Sequence, residues 1–191
     1  MDGRVSYPNT GRRLNHVEFA HRPGEGELVM ELFQALGCTC QLIDTPPFGK
    51  YIVVGLDGAS HGENDIFVTE LEAEQLALES VLQRQIDDAS SEIAAASAGL
   101  RRLQKERPYR ATHIGIRFPS VSAFDEVIGC LELLCSNQFA ERLELGYGLT
   151  RSAEEARSMT APMKQIWLWT DVISTGLLTF GQQIELQAYD A

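Results

Sequence analysis

Long apolar runs are missing from this chain. No stretch approaches the roughly 18 residues that a membrane-spanning helix requires. The first residues also lack the apolar core of a secretory signal, so a cytoplasmic location is expected. Positive charge is scarce, with 16 Lys and Arg against 27 Asp and Glu and a formal charge of −11. That balance repels phosphate backbones and anionic lipid surfaces, which argues against nucleic acid or membrane as a partner. Cysteine is limited to Cys38, Cys40, Cys130 and Cys135, with no CxxC spacing, so the four read as buried, reduced thiols. Disulfide staples are not needed either. A chain of 191 residues buries roughly 70% of its unfolded surface on folding, enough for one or two compact domains.

What is present is a repeat. Residues 14–20 alternate, with Val17 and Phe19 on one face and His16 and Glu18 on the other, as in a half-buried strand. Pro23, Gly24 and Gly26 end it. Leu28, Val29, Leu32, Phe33 and Leu36 then recur at helical spacing before Gly37. Short strands follow at residues 38–44, 51–56 and 65–71, the first two separated by a Pro46-Pro47 turn. The same β-α-β-β-β order returns later. Residues 111–118 alternate, with Ile114, Ile116 and Phe118 opposite His113, Gly115 and Arg117, and Pro119 stops the strand. Ser122 is a candidate cap for a helix carrying Phe124, Val127, Ile128, Leu131 and Leu134. Strands are expected at about residues 142–149, 165–173 and 182–188. The two first strands align as Asn15-His16-Val17 and Thr112-His113-Ile114, and the last strands end similarly as Val68-Thr69-Glu70-Leu71 and Gln183-Ile184-Glu185-Leu186. Two matched pairs in matching places point to internal duplication.

Three segments result: a first module at residues 1–71, a helical insert at 72–109 and a second module at 110–191. The insert has no proline from 72 to 106 and favours helix. Its Leu82, Ile86, Ala89, Ile93, Ala96, Leu100 and Leu103 alternate in steps of four and three, a heptad seam. The seam suits a long helix or a helix pair broken near Ser90-Ser91 or Gly99, lying on the parent domain. It also suits a dimerising helix, so a homodimer through residues 72–106 or through module pairing is an open expectation.

The duplication sets four ligand-competent side chains at corresponding places: His16, Glu70, His113 and Glu185. His16, His113 and Glu185 lie opposite the apolar faces of their strands, while Glu70 shares a face with Ile66 and Val68. If the two curved, mixed sheets of this α+β chain form one open barrel, the four meet in its interior. Two imidazoles and two carboxylates suit a divalent metal such as Zn, Ni, Co, Mn or Fe(II), and not calcium. These paired modules and motifs resemble the vicinal oxygen chelate superfamily, which includes glyoxalase I, extradiol dioxygenases and bleomycin resistance proteins. The likeness covers about residues 13–71 and 110–189. It implies metal ligation by His16, Glu70, His113 and Glu185, a pattern closest to the glyoxalase I-like members. Relatives often carry an Asp-Pro-Asp-Gly turn before the last strand, where this chain has Leu178-Thr179-Phe180-Gly181.

The chemistry implied is metal-dependent lyase or isomerase action on a small substrate with adjacent oxygens. The cation would stabilise an enediolate, with Glu185 or Glu70 as the catalytic base. Arg117 is a candidate fork for a substrate carboxylate or phosphate. Trp167 and Trp169 are candidate pocket wall or stacking residues. Residues 150–163 read as a lid, an exposed loop or a short helix. His21 and His61 read as loop histidines. Two alternatives stand beside the lyase: an extradiol dioxygenase, which uses two His and one Glu, and a non-catalytic binding protein that keeps the cleft to sequester a small ligand.

Overall fold

The alternating residues do form strands, and the glycines and prolines do break them. The computed structural model describes residues 15–47, 49–56, 64–137 and 139–189, and His61 lies outside them. The first module runs β1 (His16–His21), α1 (Gly26–Ala35), β2 (Thr39–Thr45), β3 (Gly49–Gly55) and β4 (Asp65–Glu70). After α2 (Ala73–Asp87) and α3 (Glu92–Glu106), the second runs β5 (His113–Phe118), α4 (Val121–Cys135), β6 (Leu143–Thr150), α5 (Ala153–Met159), β7 (Lys164–Thr170) and β8 (Gln182–Ala188). The sheet orders are β1-β4-β3-β2 and β5-β8-β7-β6. In each, the first strand is parallel to the last and the other neighbours are antiparallel. Identical order and sense in both modules is the arrangement that a duplication produces. No closed barrel forms among the described residues; the sheets remain two four-stranded units.

The helices cover one face of each sheet. Val29, Leu32 and Phe33 of α1 and Phe124, Val127 and Leu131 of α4 are buried in a single apolar cluster with Phe19, Ile52, Val68, Ile116, Ile184 and Leu186. Period-2 geometry then turns His16, Glu18, Phe67 and Thr69 of the first sheet away from that core, and does the same for His113, Trp167, Trp169 and Glu185 of the second. The modules meet where Ala20 and Ser174 exchange backbone hydrogen bonds of 2.9 and 3.1 Å. Arg142 reinforces the junction by donating to both carboxylate oxygens of Glu25 and, through Nε, to Asp171.

One helix boundary differs from expectation for a local reason. Ser120, not Ser122, caps α4: its extended backbone lets Oγ accept from the Ala123 amide at 3.1 Å, while Ser122 sits inside the first turn. The insert takes the second of its two expected forms, a helix pair broken at Ser90-Ser91. Asp88 accepts from both the amide and hydroxyl of Ser90, and Ser91 caps α3 by accepting from Ala94. The heptad seam is split by that turn, so Ile93 and Leu100 lie more than a third exposed. Residues 150–163 contain α5, which starts with a reciprocal capping box between Ser152 and Glu155. No helix among the described residues is long and apolar enough to cross a membrane.

The cysteines are unpaired, but they are not uniformly buried: Cys130 is exposed on α4, and the other three are half-buried. Burial pushes the Cys38 thiol up to about 12 and the Cys40 thiol up to about 11. Iodoacetamide at pH 8 is therefore expected to label Cys130 first and leave Cys38 unmodified until the protein is unfolded, as peptide mass mapping can check. Equal labelling of the two would contradict this placement. The same shift makes stability fall as pH rises from about 9 towards 12, because the unfolded chain releases the Cys38 proton first.

Candidate functional site

His113 opens β5 and Glu185 lies in β8, the adjacent parallel strand. The register pairs His113 with Gln183 and Gly115 with Glu185, so the two side chains share a face two positions apart. Glycine at 115 leaves room, since a Cβ there would sit 3.9 Å from the Glu185 carboxylate. The His113 Nδ1–H donates to the Ala111 carbonyl at 2.8 Å, and Nε2 stands 3.4 Å from Glu185 Oε2. With Nδ1 engaged by the Ala111 carbonyl, Nε2 is the ring nitrogen that faces the carboxylate. Two donors each about 2.1 Å from a tetrahedral ion lie about 3.4 Å apart, so this pair has the spacing of two metal ligands. Glu185 is buried and also accepts from the Gln165 amide. The edge of His113 meets the buried Trp167 ring, with centroids 4.6 Å apart.

The other two residues of the expected set are placed elsewhere. In the first sheet the register pairs His16 with Asp65 and His21 with Glu70. Glu70 is thus five positions along the sheet from His16, about 16 Å at strand rise. Its position also shares the parity of Ile66 and Val68, on the side of the sheet that α1 covers. There Glu70 Oε2 accepts from the Gly24 amide at 3.1 Å and holds the β1–α1 turn. The residue equivalent to Glu185 is Phe67, on which His16 stacks at 4.6 Å and 16° between planes. Among the described residues, no three His, Cys, Asp or Glu side chains group as a metal site. Two donors meet and the four-residue set does not assemble within one chain.

The outward face of the first sheet instead forms a cleft of about 800 Å³. Phe67 is its floor, with Tyr51 tilted against it at 5.8 Å between centroids. Among the described residues Glu18 and Glu72 line it with a single lysine, Lys50, and Glu70, at the end of β4, reaches its rim while its Oε2 holds the Gly24 amide. Glu18, Tyr51 and Phe67 were not among the residues expected to bind. Their signal was the same alternation that placed His16, since each lies opposite the apolar face of its strand.

The insert covers the corresponding face of the second sheet. The Arg101 guanidinium lies 3.5 Å above the Trp169 ring and pairs with Glu144 at 2.6 Å. The stacking face expected for a substrate is therefore occupied on that side by the chain itself. Glu79 of α2 reaches the turn at residues 178–180, accepting from the amides of Leu178 and Thr179. Arg117 lies over the Tyr189 ring at 4.3 Å, an intramolecular cation–π contact. His21 is buried and bonded to the Arg22 carbonyl. Comparison with known proteins gave no matching family model and no matching curated protein.

Proposed function

We propose that this chain is a non-catalytic, cytoplasmic small-molecule-binding protein of the paired-module, open-barrel type, holding its ligand in the cleft of the first sheet. The observation that carries the reading is the cleft's composition. The aromatic rings of Phe67 and Tyr51 sit within a lining where, among the described residues, Glu18, Glu70 and Glu72 outnumber the one lysine. Stacking selects a flat ring, and the acidic lining selects positive charge, so the ligand class is a planar organic cation. A volume of about 800 Å³ accommodates a drug-sized molecule.

The metal-dependent lyase or isomerase, with a substrate bearing adjacent oxygens, is the second reading. It is favoured by the 3.4 Å approach of His113 and Glu185. It needs donors beyond that pair, and among the described residues no third His, Cys, Asp or Glu joins it. The extradiol reading has the same requirement for a second histidine.

One experiment separates these readings. Chelated and dialysed protein is melted with 9-aminoacridine, a planar cation, and separately with Ni, Zn, Co, Mn and Fe(II). Binding to the native state raises the melting temperature by mass action. The expected result is a saturable rise with the cation, weakened about tenfold or more in Phe67→Ala, the loss of roughly 1.4 kcal/mol. No rise with the cation, together with a metal-induced rise that is absent in His113→Ala, would replace the binder with the metalloenzyme.

A further inference from the structure

Helix α2 carries two stripes of residues, and the fold covers one of them. It packs on α3 and on the turn at residues 178–180, and Leu76, Glu79, Leu82 and Ile86 are buried or half-buried there. Leu82 and Ile86 belong to the heptad seam that a dimerising helix would have used, so that seam is spent within the chain. The second stripe is Glu74, Leu78, Val81 and Gln85, in steps of four, three and four, roughly a third of a turn round the helix from the first. All four are exposed. Leu78 is 49% and Val81 47% exposed, so two adjoining large apolar side chains face solvent between polar ends. A single exposed leucine is ordinary, but an apolar pair in heptad steps is the pattern of a helix–helix contact.

The stripe is complementary to itself. When a second α2 is laid antiparallel about a two-fold axis between Leu78 and Val81, Leu78 meets the second copy's Val81, and Val81 meets its Leu78. The same register sets Glu74 opposite the second copy's Gln85 and beside its Arg84, and symmetry repeats this at the other end. Glu74 and Arg84 are exposed and have no ion-pair partner among the described residues, so both charges are free for that contact. A parallel arrangement would instead set Glu74 against Glu74, which is repulsive. We propose that α2 is a self-association face, on which a second copy of this chain docks antiparallel through Leu78 and Val81 between two Glu74–Arg84 ion pairs. This face is separate from the first-sheet cleft, to which the start of α2 gives Glu72 and Gln75 and no residue of the stripe. One helix pair falls below the roughly 1,200 Å² of a standard interface, so the dimer is reversible and depends on concentration.

Sedimentation velocity of the full chain, over about a hundredfold range of concentration, reads the equilibrium directly. The expected result is a monomer at the low end and a growing dimer fraction at the high end. Val81→Gln should weaken association about tenfold or more. Glu74→Arg and Arg84→Glu should each weaken it about threefold or more, and the two together should restore it to within about twofold. Every changed residue is exposed, so each variant should keep the native circular dichroism. Leu78→Gln repeats the apolar test if Val81→Gln fails to fold. A monomer throughout the range, a dimer that both glutamine variants leave unchanged, or a charge-swapped double variant as weak as the single ones would overturn the proposal.

Discussion

Replacing Gly181 with alanine is expected to lower the melting temperature by about 10 °C, one of the largest single-residue effects in the chain. Gly181 joins the 178–180 turn to β8 with φ 69° and ψ −178°, a region that L side chains rarely enter. Backbone strain is only part of the cost. A Cβ at this position would fall on the edge of the Trp169 indole, closer than 3 Å. The ring has little room to retreat, because Arg101 stacks on it at 3.5 Å. Strain and overpacking together cost about 3–5 kcal/mol. Gly24→Ala is the control, since Gly24 has φ 79° but no atom within 4 Å of the added Cβ. It should cost about 1 kcal/mol. Thermal melts followed by circular dichroism compare the two, and equal losses would show that Trp169 is not pinned.

The fold was legible because its strands alternate and its breaks are glycines and prolines. Of the four residues expected to meet, the sequence brought one pair together. His113 and Glu185 each lie opposite an apolar face, and period-2 geometry alone brings them together across a parallel pair. Glu70 misled through tetrapeptide likeness. Matching Val68-Thr69-Glu70-Leu71 to the end of β8 is a slip of three residues from the register, and an odd slip exchanges the two faces of a strand. The warning was in the sequence, since Ile66 and Val68 already claimed Glu70's face for the core. The insert was opaque for another reason. Its apolar seam gives helical period, yet the hairpin docks through Glu79, Arg101 and Gln104, whose burial no hydrophobic pattern announces.

Arg142→Met is expected to cost about 2–4 kcal/mol, between an exposed ion pair and a buried one. The wild-type guanidinium reaches Glu25 with Nη1 and Nη2 at 2.8 and 2.9 Å, and Asp171 with Nε at 2.8 Å. Burial works against its charge, but hydrogen bonds to Glu25 and Asp171 outweigh that and raise its pKa above the usual arginine value. Arg22 also approaches Asp171, at 3.4 Å. The arginine side chain is only 25% exposed and the two acids 20% and 24%, so solvent screens the network weakly. Methionine keeps the packing of the stem while leaving Glu25 and Asp171 with one partner between them. The melting temperature should fall by roughly 5–12 °C, and Arg142→Lys should recover only part of it, because an ammonium cannot span both acids as a planar fork does. A double-mutant cycle with Glu25→Gln isolates the contact across the modules. Coupling of about 1 kcal/mol or more places this network among the forces that hold the modules in register. Coupling below about 0.5 kcal/mol would leave that task to the shared apolar core and the Ala20–Ser174 bridge.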